Sequence, residues 1–178
     1  MKLTLINLAS FYIGWFACVI AAGQGHPLIG PMVVALLLGF HFFLLSDTVR
    51  EARLIIGVGI LGSSIDTLLI WSGLYSFPGH SMAWLCPLWI TALWMIFATT
   101  LHTSLGWLAG HYALAAILGG VGGPLSYYAG ARFGALTLSP HPTLTLVTIT
   151  IVWAITMPVL IWLARPAPFR MLLGESAP

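Results

Sequence analysis

The chain has 178 residues, of which 6 are Lys or Arg and 4 are Asp or Glu; 60% are hydrophobic and mean hydropathy is +1.02. Soluble domains carry about 25% charged residues, so a chain with 6% has too little polar surface to live in water, and its solvent is lipid. A formal net charge of +2 with no run of Lys or Arg excludes a phosphate-binding face, and with it nucleic acid as a partner.

The expected fold is all-α: a single transmembrane domain over residues 1–178, with a polytopic helical bundle at 1–164 and a short polar tail at 165–178. Met1-Lys2 and the apolar run behind it resemble a signal peptide, but the run continues to Ala22, and Gly23-Gln24-Gly25-His26-Pro27 is a poor cleavage context. Leu5 to Ala22 is therefore the first span, anchored by Lys2 in the cytoplasm. Span two runs from Leu28 to Leu45, with Gly30-Pro31 near its start, where proline's missing N–H costs little. The charged loop Ser46 to Arg53 follows, and Ser46 or Asp47 could cap a short juxtamembrane helix. Span three, Leu54 to Tyr75, carries Gly57, Gly59 and Gly62, which permit close helix contact. Span four, Met82 to Leu101, holds Trp84, Trp89 and Trp94, with Pro87 as a kink.

Leu105 to Leu138 is too long for one span. A single helix there would reach about 50 Å against a hydrocarbon core of about 30 Å. Gly119-Gly120-Val121-Gly122-Gly123-Pro124 breaks it, giving span five at His102 to Leu118 and span six at Pro124 to Leu138, with a re-entrant pair as the alternative. The last span is Thr143 to Ala164. Its Val, Ile and Thr content would favour a strand in water, but in lipid every backbone group must be paired internally, which favours a helix. The total is seven spans, with six as the alternative.

Three short matches support seven. Ile13-Gly14-Trp15 recurs as Leu105-Gly106-Trp107, Gly30-Pro31 as Gly123-Pro124, and Leu69-Ile70-Trp71 as Leu160-Ile161-Trp162, at offsets of 92, 93 and 91. Their order and spacing imply parallel 3+1+3 repeats, an arrangement some transporters use. The positive-inside rule favours six. With a cytoplasmic N-terminus, Lys2, Arg50, Arg53 and Arg132 fall on or near the inner side, but seven spans leave Arg165 and Arg170 outside.

The sharpest chemical candidate is Asp66. A carboxylate at membrane depth costs about 2.5–3.5 kcal/mol on insertion scales, so it turns inward and normally has a role. Ser63, three residues earlier, shares its face. Together they could bind a cation, relay a proton or hold a polar head; the plain alternative is a structural pair. Arg132 and Tyr128, four apart, form a second candidate. Arg132 could pair with Asp66 or clamp an anionic head group, or simply snorkel to the interface. Trp89 and Trp94 lie deep enough to line an apolar pocket or to pack between helices. The six histidines are scattered, with His41 and His111 inside spans and suited to helix–helix hydrogen bonds. No metal-ligand spacing, Walker loop or nucleophile motif is present, so neither metal nor cofactor is expected. Cys18 and Cys86 read as small hydrophobes.

Four segments together carry a family resemblance: Phe11-Tyr12-Ile13-Gly14-Trp15-Phe16, the Asp66 region, Pro87-Leu88-Trp89 with Leu93-Trp94 and Phe97-Ala98, and Gly123 to Tyr127 through Ala129 to Arg132. Over roughly residues 8–165 the chain resembles the bacterial membrane family known as domain of unknown function 2878. Members of that family are encoded near genes resembling cyclopropane-fatty-acid synthases and associated oxidases. The resemblance therefore implies work on or around modified membrane lipids in the bacterial inner membrane, with the lipid bilayer and lipid-modifying enzymes as partners. The expected function is membrane-lipid modification or handling through a pocket of Asp66, Arg132, Ser63, Tyr128, Trp89 and Trp94; the alternatives, drawn from the residues themselves, are a small proton- or cation-coupled transporter with parallel three-span repeats and Asp66 as the coupling residue, and a structural subunit tied by Asp66 and Arg132. Substrate, reaction and oligomeric state are not encoded in any motif, and enzyme and non-enzyme readings stay open.

Overall fold

The structure is a computed structural model that describes residues 2–44, 47–79 and 85–165. Ser46, Trp84, Arg170 and the rest of the tail lie outside the described residues, as does the expected start of span four.

Among the described residues six helices form the bundle: α1 (Lys2–Gly23), α2 (Ile29–Phe43), α3 (Thr48–Trp71), α4 (Leu88–His102), α5 (Tyr112–Arg132) and α6 (Pro142–Leu163). A 3-10 turn, Gly106–Leu108, joins α4 to α5. Two short strands, β1 (Tyr75–Ser76) and β2 (Thr137–Leu138), pair antiparallel, with Tyr75 opposite Leu138.

The helices alternate in direction. At one end the Ser104 hydroxyl donates to the Thr4 carbonyl, and Glu51, His41, His102 and Ala164 meet. At the other, Gly23 lies against the backbone of Phe133, beside the β1–β2 pair. Lys2, Arg50, Arg53 and Arg165 therefore sit at a charged end, and Arg132 at the opposite, strand end.

Three helices, α1, α3 and α6, are long and apolar enough to cross a membrane; α2 and α4 are shorter apolar helices. Large apolar side chains cover the outer face, among them Ile13, Leu36, Ile60, Ile117, Leu125 and Ile155. A surface of this kind on a helical bundle calls for lipid rather than water.

The expectation of seven spans is corrected: among the described residues there are six helices, because α5 runs unbroken through Gly119–Pro124. With 21 residues it is about 32 Å long, near the thickness of the hydrocarbon core; the 3-10 turn and the bend at Gly134 (φ 78°) take up the remaining length. The glycines are a packing surface rather than a break. A Cβ on Gly119 would come within 2.5 Å of Met157 Cβ and the Trp153 carbonyl oxygen, and one on Gly123 would strike the Trp153 indole. In lipid, freed backbone groups gain no water, so a helix tolerates residues that would end it in solution. The single linking span that parallel repeats require is missing with it. The matched tripeptides do not occupy matching places either, since Trp15 is mid-helix in α1 while Trp107 lies in the 3-10 turn.

Pro87 begins α4 rather than kinking it. It is extended (φ −63°, ψ 150°) just before Leu88. Asp47 caps as expected, accepting from the Arg50 N–H at 3.3 Å, but the helix it starts is α3 itself, which swallows the predicted charged loop. His111 stands at the N-cap of α5 rather than inside a helix. Cys18 and Cys86 are buried free thiols.

Of the three glycines expected to allow close contact, Gly59 and Gly62 do so against α4, but nothing lies within 4 Å of a Cβ on Gly57. Gly62→Ala, which drives a methyl into the Trp94 ring, is expected to cost about 1–3 kcal/mol. Gly57→Ala on the same helix should change stability by less than about 0.5 kcal/mol. Thermal unfolding of the two variants in detergent measures the difference.

Candidate functional site

Local capping brings the site together. α3 ends in a Schellman motif: Gly73 is left-handed (φ 71°), its N–H bonds to the Ile70 carbonyl at 2.9 Å, and the Leu74 N–H bonds to Leu69 at 3.3 Å. The chain thereby turns back and delivers Tyr75 onto α3. α5 ends the same way, with Gly134 left-handed and the N–H groups of Gly134 and Ala135 bonded to Ala131 and Gly130, each at 3.0 Å. The two turns feed β1 and β2, which pair over the strand end of the site.

Asp66 is fully buried and accepts three hydrogen bonds. The Tyr75 hydroxyl donates to Oδ1. The Tyr127 hydroxyl donates to the same oxygen at 2.5 Å, and Trp94 Nε1–H donates to Oδ2 at 2.6 Å. Gly62, one turn before Asp66, leaves the space in which the Trp94 ring lies. Trp94 in turn stacks on Trp153 of α6, with ring centroids 4.8 Å apart and an 8° interplanar angle. One carboxylate thus joins α3, α4, α5 and β1 through neutral donors, and reaches α6 through the stack.

Two cavities adjoin it. A small one of about 70 Å³ is lined by Asp66, Trp89, Trp94, Ser126 and Tyr127 among others. A larger one of about 510 Å³ lies between α1 and α4 on one side and α5 and α6 on the other. Phe11, Trp15, Phe97, Ser126 and Trp153 line both, so the small cavity and the large cleft lie side by side with these side chains between them. At their junction Trp15 Nε1–H donates to Ser126 Oγ at 2.9 Å.

The sequence candidates separate in this geometry. Asp66 and Trp94 are in direct contact. Trp89 lines the small cavity and packs edge-on to Phe77, with ring centroids 5.3 Å apart. Ser63 bonds Thr91 Oγ1 at 2.7 Å instead of joining Asp66. Tyr128 is 47% exposed and Arg132 is exposed at the end of α5; neither touches Asp66, and among the described residues Arg132 makes no ion pair. The tyrosine at the site is Tyr127, one residue earlier. Tyr75 and Ser126 were also not singled out, although Gly73 marks the turn that brings Tyr75 back.

A second polar cluster closes the charged end. Glu51, buried, accepts from His41 Nε2 at 3.0 Å and from His102 Nδ1 at 2.7 Å. His102 Nε2 reaches the Ala164 carbonyl at 2.5 Å, and Arg50 donates to that carbonyl at 3.2 Å. His41 thus makes the interhelical bond expected of it, while Glu51 and His102 were not singled out. The cluster ties α2, α3 and α4 to the C-terminal end of α6, where cations oppose the helix dipole. Among the described residues no group of three or more His, Cys, Asp or Glu is placed to hold a metal ion.

The family model described as protein of unknown function DUF2878 matches residues 4–159, from the first turn of α1 into the last turns of α6. The chain belongs to that family. No curated protein and no solved structure matches it.

Tyr127→Phe removes one donor to Asp66 and is expected to cost about 1–2 kcal/mol, the range of interhelical hydrogen bonds in membranes. Arg132→Ala should leave stability within about 0.5 kcal/mol of the parent. Glu51→Ala strands two histidines and should cost about 3–5 kcal/mol, as removing one partner of a buried pair does. Unfolding in detergent at constant lipid content measures all three.

Proposed function

We propose that this protein holds an amphiphilic molecule drawn from the bilayer in the cleft between α1–α4 and α5–α6, and acts through it in membrane-lipid modification or handling. The observation that carries the reading is that the 510 Å³ cleft adjoins the Asp66 cavity, the two sharing Phe11, Trp15, Phe97, Ser126 and Trp153 as lining. Ligand sites are concave, about 300–1,000 Å³, mostly apolar, with a few convergent polar groups, and the pair of cavities fits that description. Phe11, Phe97 and Trp153 supply the apolar wall, while Asp66, Tyr127 and Ser126 supply the polar end. Trp89 and Trp94 stand at that end; Arg132 and Tyr128 serve no part in it.

A second reading is proton- or cation-coupled transport. It draws on one observation: among the described residues, the partners of Asp66 are neutral donors and none is a cation. Repeats no longer contribute to it. In either reading the charged end, with Lys2, Arg50, Arg53 and Arg165, would face the cytoplasm of a bacterial inner membrane.

Gly122→Phe tests the first reading. Gly122 lines the cleft, and a Cβ placed there meets open space, so a phenyl ring at this position is expected to narrow the cleft at little cost to packing. Lipid that co-purifies with the parent, identified by mass spectrometry, should be absent from Gly122→Phe, and the whole-cell lipid profile of a deletion strain should be restored by the parent only. Equal lipid retention by both proteins would sink the cleft reading. Proton flux in liposomes that is lost in Asp66→Asn but kept in Gly122→Phe would favour transport.

A further inference from the structure

Resting on that reading of the cleft, we infer that its occupant is an uncharged amphiphile with a terminal hydroxyl, a long-chain alcohol or a neutral acylglycerol, and not a fatty acid or phospholipid. Three observations carry this.

The first is the charge inventory. Among the described residues lining the two cavities, Asp66 is the one formally charged type, and no Lys, Arg or His lines either. Arg132, the cation the sequence offered for an anionic head, is outside. A carboxylate or phosphate entering the small cavity would leave water for a low-dielectric site that holds no cation to pair it, and an unpaired buried anion is strongly disfavoured.

The second is the hydrogen-bond inventory. Among the described residues Oδ2 of Asp66 accepts from Trp94 alone, so it retains acceptor capacity. Ser126 Oγ accepts from Trp15, but among the described residues its own O–H meets no acceptor. The polar end therefore offers acceptor oxygens, on Asp66 and Tyr127, and one hydroxyl donor, on Ser126. An alcohol has one O–H to give and lone pairs to receive, and so satisfies both. A carboxylate or phosphate only accepts and finds no partner in Asp66. An ammonium only donates and leaves the Ser126 proton unmatched.

The third is shape. The 70 Å³ compartment is small, and the 510 Å³ cleft beyond Ser126 is bounded by Leu8, Leu118, Met157 and aromatic rings. A small head followed by an apolar chain fits this order.

The test uses tryptophan quenching in detergent by long chains brominated near the head, ending in an alcohol, a carboxylate or an amine, with a brominated monoacylglycerol and a phosphatidate alongside. Trp15, Trp94 and Trp153 line the cavities and report entry; Gly122→Phe gives the background from chains in the micelle. The alcohol is expected to bind at least about tenfold more tightly than the carboxylate, a free-energy gap of about 1.4 kcal/mol. Ser126→Ala should weaken the alcohol about threefold to tenfold, and Asp66→Asn should shrink the alcohol-to-carboxylate ratio towards one. Tighter binding of the monoacylglycerol than of the free alcohol would assign the source to membrane lipid; the reverse would assign it to a free alcohol. Carboxylate, phosphatidate or amine binding as tightly as the alcohol, with Gly122→Phe still blocking entry, would overturn the head-group inference and leave the cleft reading standing. Quenching identical in the parent and Gly122→Phe would overturn both.

Discussion

A carboxylate carried into the hydrocarbon region has to find partners there, because no water will supply them. Asp66 finds three aromatic donors, each from a different part of the chain. Much of the surrounding structure follows from delivering those donors. Gly62 must be glycine for the Trp94 ring to reach the carboxylate. Gly73 must be left-handed for Tyr75 to return to it. α5 must run unbroken to the strand end for Tyr127 to stand at its level.

The same tie explains why a cleft exists. α5 and α6 pack closely on each other through Gly119 and Gly123 and meet the other helices at several points: Tyr127 on Asp66, Trp153 on Trp94, Trp15 on Ser126, the strand pair at one end, and Ala164 under His102 and Arg50 at the other. Apolar side chains join the two groups near the ends of the bundle, such as Leu160 and Ile161 at the charged end and Leu69 and Ile149 at the strand end, and the middle of the seam keeps volume between them. In water such a gap would cost apolar burial. In a bilayer, lipid tails solvate apolar side chains as well as a neighbouring helix does, so the fold loses less by keeping the space.

Much of this was legible in the amino-acid order, and the misreadings share a cause. Asp66 stood out because an acid amid apolar residues has few innocent explanations, and Trp94 because it lay too deep for an interfacial belt. The glycine run in α5 was read with rules learned in water, where Gly and Pro end helices; in lipid the same residues let two helices touch. Tyr128 was preferred to Tyr127 for its spacing to Arg132, yet the direction in which a helix face points is set by its tertiary neighbours. Glu51 looked like a loop charge because its neighbours Arg50 and Arg53 are charged too, and nothing local reveals that His41 and His102 converge on it. Pro87 could mark a kink or a start, and the sequence on either side does not distinguish them.

The near-parallel stack of Trp94 on Trp153 has an optical consequence. Two indoles face to face at this separation couple through their intense far-ultraviolet transitions, and the resulting exciton signature in circular dichroism depends steeply on distance and angle. Because one ring belongs to α4 and the other to α6, and the first is also held by Asp66, the spectrum reports the seating of the α5–α6 hairpin directly. The protein thus carries its own label at the seam of the cleft.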